Sequence, residues 1–163
     1  MRTTFLFLFF CLTANLTQAQ PKFKTGSIEL DGDLNQINLA ANADFGKFRA
    51  ELGVTYQIAG NRIDHFHTEL HMEPAEIYYA LEVSRVCHRP VDDVIEVYRT
   101  KHGKGWGKIA KELGIKPGSA EFHELKERVS QRSAGYRNHD DNDNENDQGK
   151  GKKNHGKGKG RNK

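Results

Sequence analysis

The chain comprises 163 residues with 25 Lys and Arg against 22 Asp and Glu, and hydrophobic residues make up only 36% of it. That length bounds it to one ordinary domain, and the absence of any apolar run of about 20 residues excludes a membrane-spanning helix. The formal charge of +3 is unevenly placed, because residues 20–130 hold 15 basic against 17 acidic side chains and residues 131–163 hold 9 against 5, so the basic character belongs to the tail.

Residues 1–19 read as a secretory signal peptide: Met1 to Thr4 form a short positive start, Phe5 to Leu12 an apolar run, and Thr17-Gln18-Ala19 a small-residue exit. Cleavage near Ala19 starts the mature chain at Gln20, in the periplasm or outside the cell. Cys11 leaves with the signal, and Phe9-Phe10 before it lack the small residue that lipidation requires. Cys87 is then the single mature cysteine, which rules out an intramolecular disulfide and suits a small buried hydrophobe. Its neighbour His88 invites a nucleophile–base reading, but adjacent residues at a helix end point apart.

Residues 27–58 are expected to form strands. Ile37, Leu39, Ala41 and Ala43 alternate with polar or small residues, as do Phe48, Ala50, Leu52, Val54 and Tyr56, with Asp44 to Lys47 as a hairpin turn and Ile28 and Leu30 in a short preceding strand. Such a meander needs a cover, which the 61–129 region supplies as about five short helices. Asn61 can cap the first, with Ile63, Phe66 and Leu70 inward. Glu73-Pro74 opens the second, with Ile77, Tyr78, Leu81 and Val86. Pro90 opens the third, with Val91, Val94, Ile95 and Tyr98 as its stripe. Trp106, Ile109, Ala110 and Leu113 line the fourth, ended by Gly114, and Ser119 caps a fifth carrying Phe122, Leu125 and Val129. The expected fold class is therefore α+β: a short antiparallel β-meander packed with a helical cluster over residues 20–130.

Within the first helix lies a histidine cluster. A helix places His67 and His71 one turn apart with Asp64 a turn before them, a spacing that can chelate Zn, Cu or Ni; a strand would instead align His65 with His67 and Glu69. The helix is the better reading because it groups Ile63 with Phe66 and Leu70. The metal candidates are thus His67, His71, Asp64 and His65, set against a plain solvated polar face.

Lys108 to Ile115 followed by a further helix has the outline of a helix-turn-helix, yet Glu121, Glu124 and Glu127 on the second helix would repel phosphates. Together with the signal peptide, this reads against nucleic acid as partner. Gly103-Lys104-Gly105-Trp106-Gly107, with Ile109-Ala110-Lys111, Leu113 to Ser119 and Phe122-His123, resembles a group of short, uncharacterised bacterial secreted proteins over about Pro74 to Lys126. The resemblance implies a bacterial secreted protein and transfers no functional residue. Physically, the glycines allow a sharp turn around Trp106, whose ring can seal the core; the alternative reading is a loop that cradles an anion at a helix start.

Residues 131–163 are expected to be a disordered acidic-then-basic tail, because Asn138 to Asp147 and Gly149 to Lys163 contain no apolar residue. Asp141, Asp143, Glu145 and Asp147 alternate as in calcium loops, but Asn146 stands at the required glycine and Lys152 at the required glutamate. Lys150, Lys152, Lys153, Lys157, Lys159, Arg161 and Lys163 form a flexible polybasic end suited to an envelope polyanion, such as anionic headgroups or acidic wall polymers. No nucleophile, base and orienter stand in recognisable order. The leading reading is a small secreted or periplasmic non-enzymatic binding protein with polyanion or protein partners. A transition-metal-binding protein and a hydrolase without recognisable motif are the alternatives.

Overall fold

In the computed structural model, residues 22–147 are described, and every element formed by them is helical. The signal-peptide reading of residues 1–19 and the polybasic end from Lys150 to Lys163 lie outside the described residues. The expected β-meander is absent: residues 27–58 form α1 (Ile28–Ala43) and α2 (Phe45–Tyr56).

The helical period explains why. Leu30, Leu34, Ile37 and Ala41, spaced at i, i+4, i+7 and i+11, are buried, whereas Leu39, the supposed inward strand residue, is 69% exposed. Alternation across four residues of an alanine- and asparagine-rich segment fits a strand only locally. Leucine and alanine favour the helix once a longer window is counted. In α2 the buried pair Phe48 and Leu52 lies at i and i+4, and Val54 is 83% exposed. The supposed hairpin residue Asp44 does reverse the chain, but as a helix cap: its Oδ1 accepts the Lys47 backbone N–H at 2.9 Å.

The remaining helices are α3 (Gly60–Thr68), α4 (Pro74–Val86), α5 (Val91–Lys101), α6 (Trp106–Glu112) and α7 (Ala120–Asp147), with a 3-10 turn over His102–Lys104. α3 is capped by the backbone of Ala59, so Asn61 lies in its first turn and does not cap it. At the start of α4, Glu73 and Glu76 form a reciprocal capping box with Pro74 at the first helical position. Ten of the thirteen α4 residues are buried. A helix apolar on nearly all sides must lie at the centre, and α4 packs against α1, α2, α3, α5 and α7.

α7 runs well past residue 131, where order was expected to end. Leu125, Val129, Ser133 and Tyr136 keep one inward stripe at i, i+4, i+8 and i+11, and Ser133 is 0% exposed. The stripe turns polar after Val129. Arg132 holds it down by bonding Glu51 Oε2 and the Tyr136 hydroxyl, each at 2.7 Å, while its guanidinium lies over the Phe48, Tyr78 and Tyr136 rings.

The strap Phe23–Thr25, with Lys24 in the left-handed region at φ +51°, lies across the start of α6. The Trp106 N–H donates to the Phe23 carbonyl at 2.9 Å and the Gly107 N–H to the Lys24 carbonyl at 3.0 Å. Phe23 is buried, and the Thr25 N–H donates to the buried Asp31 carboxylate at 2.9 Å.

Candidate anion-binding surfaces

Three places with potential chemistry are set by this framework: the histidine segment, a lysine face and a groove. The histidines do not converge. α3 ends at Thr68 because the Glu69 and Leu70 N–H groups both turn back to the His65 carbonyl and Met72 N–H to Phe66, which puts His71 in a left-handed conformation outside the helix. The one-turn spacing of His67 and His71 is thereby lost. His67 is instead absorbed into the packing, its ring 4.5 Å from the Phe45 ring and its Nδ1 2.8 Å from the Met72 carbonyl, to which a protonated Nδ1 donates. Asp64 pairs with Arg49 of α2, and His65 rests beside Phe66. Among the described residues no group of three His, Cys, Asp or Glu side chains is placed to hold a metal ion.

The Gly103–Gly107 loop is also committed to structure. Trp106, 1% exposed, sends its indole N–H to Glu76 Oε1 at 3.1 Å and meets Tyr79 edge-on at 5.0 Å. Glu76 accepts in addition the Tyr98 hydroxyl at 3.1 Å and the Glu73 N–H at 3.0 Å. The first N–H groups of α6, which an anion would need, are bonded to the strap carbonyls. This loop therefore seals the core, and the anion-cradle reading falls.

Cationic side chains gather on the outer side of the same region. Lys101 at the end of α5, Lys104 in the 3-10 turn, and Lys108 and Lys111 on α6 surround a shallow concavity whose lining contains one acid, Glu112. Lys101 Nζ bonds Glu112 Oε2 at 2.8 Å, and this bond, with Lys104 nearby, holds the Glu112 carboxyl below the usual carboxylate range. Lys108 and Lys111 form no ion pair among the described residues and stand exposed. Over residues 99–116 the chain has six basic side chains against one acid, whereas the rest of residues 20–130 has nine against sixteen. A domain near neutrality thus carries a segregated positive face. The signal was in the sequence as lysines at 104, 108 and 111, but the glycines and the helix-turn-helix outline drew the reading elsewhere. In the fold, α6 packs on α5 and the 3-10 turn, while α7 packs on α1 and α4.

A groove of about 660 Å³ opens between the end of α2, the α2–α3 loop, α4 and the start of α5. Its apolar walls are Tyr56, Ile58, Leu81 and Val91, and its charged lining residues, Arg62 and Arg85, are both cationic. Behind it, the Tyr56 hydroxyl donates to Glu82 Oε1 at 2.5 Å. Glu82 is 4% exposed, with Arg128 Nε 3.8 Å from its other oxygen. Burial and the adjacent Glu82 charge push the Tyr56 phenol far above its ordinary value, so it stays a protonated donor. Cys87 is half-buried and not on the groove, and burial raises its thiol pKa, which disfavours the thiolate.

Among the described residues no helix is long and apolar enough to cross a membrane. Comparison with protein-family models, with curated proteins and with solved structures finds no match.

Proposed function

We propose that this chain is a non-enzymatic binding protein of the bacterial envelope that attaches to anionic surfaces through Lys101, Lys104, Lys108 and Lys111. The single observation that carries the reading is the segregation of these lysines around one concavity on a body that is otherwise acidic. The signal-peptide pattern at residues 1–19 supports an extracytoplasmic setting, where anionic headgroups and acidic polymers are the available polyanions. Lysine suits this task because its ammonium is a flexible point charge that does not demand one ligand geometry. Each such residue near an anionic membrane contributes about 1 kcal/mol, so the net charge left by four lysines and Glu112, with Lys101 paired to that acid, gives measurable binding, and the polybasic end from Lys150 to Lys163 adds a second contact.

Co-sedimentation of the mature chain with phosphatidylglycerol vesicles and with purely zwitterionic vesicles tests this. Binding only to the anionic vesicles, lost as salt is raised, is expected. Equal partitioning onto both, unaffected by salt, would refute it.

A further inference from the structure

We infer that the groove between α2, α4 and α5 is a binding site for a small amphiphilic carboxylate, a ligand with one anionic head and a short apolar body. This site is separate from the lysine face and does not depend on it. The groove has the size of a small-molecule site, which runs to roughly 300–1,000 Å³, and its walls divide the two halves of such a ligand. Tyr56, Ile58, Leu81 and Val91 offer apolar surface; Tyr56 presents its ring because its hydroxyl is spent on Glu82.

The charge in the lining is of one sign. Arg85 is exposed on α4 and forms no ion pair among the described residues, which leaves its planar fork of donors for a ligand carboxylate. Arg62, in the lining from α3, is fixed by Asp92 of α5 and by its place over the Phe66 ring, 5.7 Å from the centroid. One bond to Asp92 uses only part of its five N–H donors. Ser84 donates its hydroxyl hydrogen to the Arg89 carbonyl at 2.6 Å, so it has no hydrogen left for a ligand carboxylate, and the guanidiniums are the charged donors of the lining. A fully apolar ligand would gain nothing from Arg85, and a fully polar one would leave the four apolar walls wet.

The test is an NMR titration of the mature chain with octanoate, acetate and octanol. Octanoate is expected to perturb the Ile58, Leu81 and Val91 methyls and to bind at least about tenfold more tightly than octanol, since a charge-assisted bond is worth that much, and at least about tenfold more tightly than acetate, since two buried CH2 groups at about 0.8 kcal/mol each already supply that factor. Arg85→Ala should weaken octanoate by about tenfold while leaving octanol unchanged. Val91→Asn, which keeps both guanidiniums, should weaken octanoate and leave acetate unchanged. Lys108→Glu should alter none of these, which separates failure here from failure of the lysine face. Octanoate binding no tighter than acetate, retained in Arg85→Ala, or confined to residues outside the groove would overturn the assignment.

Discussion

Gly107 and Thr25 approach so closely that a methyl group on Gly107 would lie 2.6 Å from the Thr25 carbonyl oxygen. The relationship explains the spacing of glycines around Trp106. At Gly105, whose φ is +85°, an added Cβ would lie 2.5 Å from Lys24 Cβ, so both positions need glycine for the strap to pass. The strap closes over the indole and uses the first N–H groups of α6.

Gly105→Ala and Gly107→Ala should each destabilise the fold by about 1–3 kcal/mol, because rigid strap backbone must move to relieve the overlap. Gly103 has nothing within 4 Å of an added Cβ and no left-handed φ, so Gly103→Ala should be close to neutral. Urea midpoints of the three variants check this. Equal effects at 103 and 107 would contradict the strap's role.

The helical phase of α1 is tested by two leucines. Leu34→Ala should cost about 2–5 kcal/mol, whereas Leu39→Ser, on the exposed side, should cost little. A strand carrying Ile37 and Leu39 on its inner face would make Leu39→Ser costly instead.

Why residues 27–58 mislead is visible in their partners. The buried stripe of α1 includes Asp31 and Asn38, polar residues that blur the 3.6-residue period. Both are satisfied from outside α1: Asp31 accepts the Thr25 N–H six residues before it, while Asn38 accepts the Ala75 N–H at 3.2 Å and donates to Glu73 Oε2 at 3.1 Å. A bond spanning 37 residues leaves no local trace. Between Glu73 and Phe122 the punctuation is local, and the reading of the helix starts and stops holds: Glu73-Pro74 at the start of α4, Pro90 before α5, Gly114 at φ +95° and Ser119 Oγ accepting the Phe122 N–H at 3.3 Å all act where the sequence places them. The histidine spacing was misjudged for the opposite reason. Its spacing presumed a longer helix than α3, which stops at Thr68.

The packed part of α7 predicts that a chain ending at Ser130 is less stable than one ending at Asp147, by about 2 kcal/mol or more, since it loses the Arg132 bond to Glu51 and the Tyr136 contact. Thermal melts of the two chains at one ionic strength decide it. Coincident curves would place the end of the folded unit before Arg132.

Lys22 bonds Glu73 at 2.9 Å and is the foremost cause that holds the Glu73 carboxyl below its ordinary value of 4.5, with Asn38 adding a bond. A carboxylate whose pKa is depressed by folding contributes stability above its unfolded value, and that contribution disappears as pH falls through the folded value. Lys22→Ala should therefore lose stability at neutral pH, approach the parent chain as pH falls below 4.5 and converge with it once pH is below the folded value. The pair is partly exposed, so the difference should be at most about 1 kcal/mol. Parallel urea curves across this range measure it, and a constant difference at every pH would deny the linkage.

The central claim is that the lysine face itself binds anionic surfaces. The most direct measurement is co-sedimentation with phosphatidylglycerol vesicles of the chain ending at Asp147, which lacks the polybasic end, beside its Lys104→Glu, Lys108→Glu, Lys111→Glu triple variant. The parent is predicted to bind at low salt and release as salt rises, and the triple variant to stay in the supernatant while retaining the parent's circular dichroism spectrum. Equal binding of the two folded proteins would contradict the account.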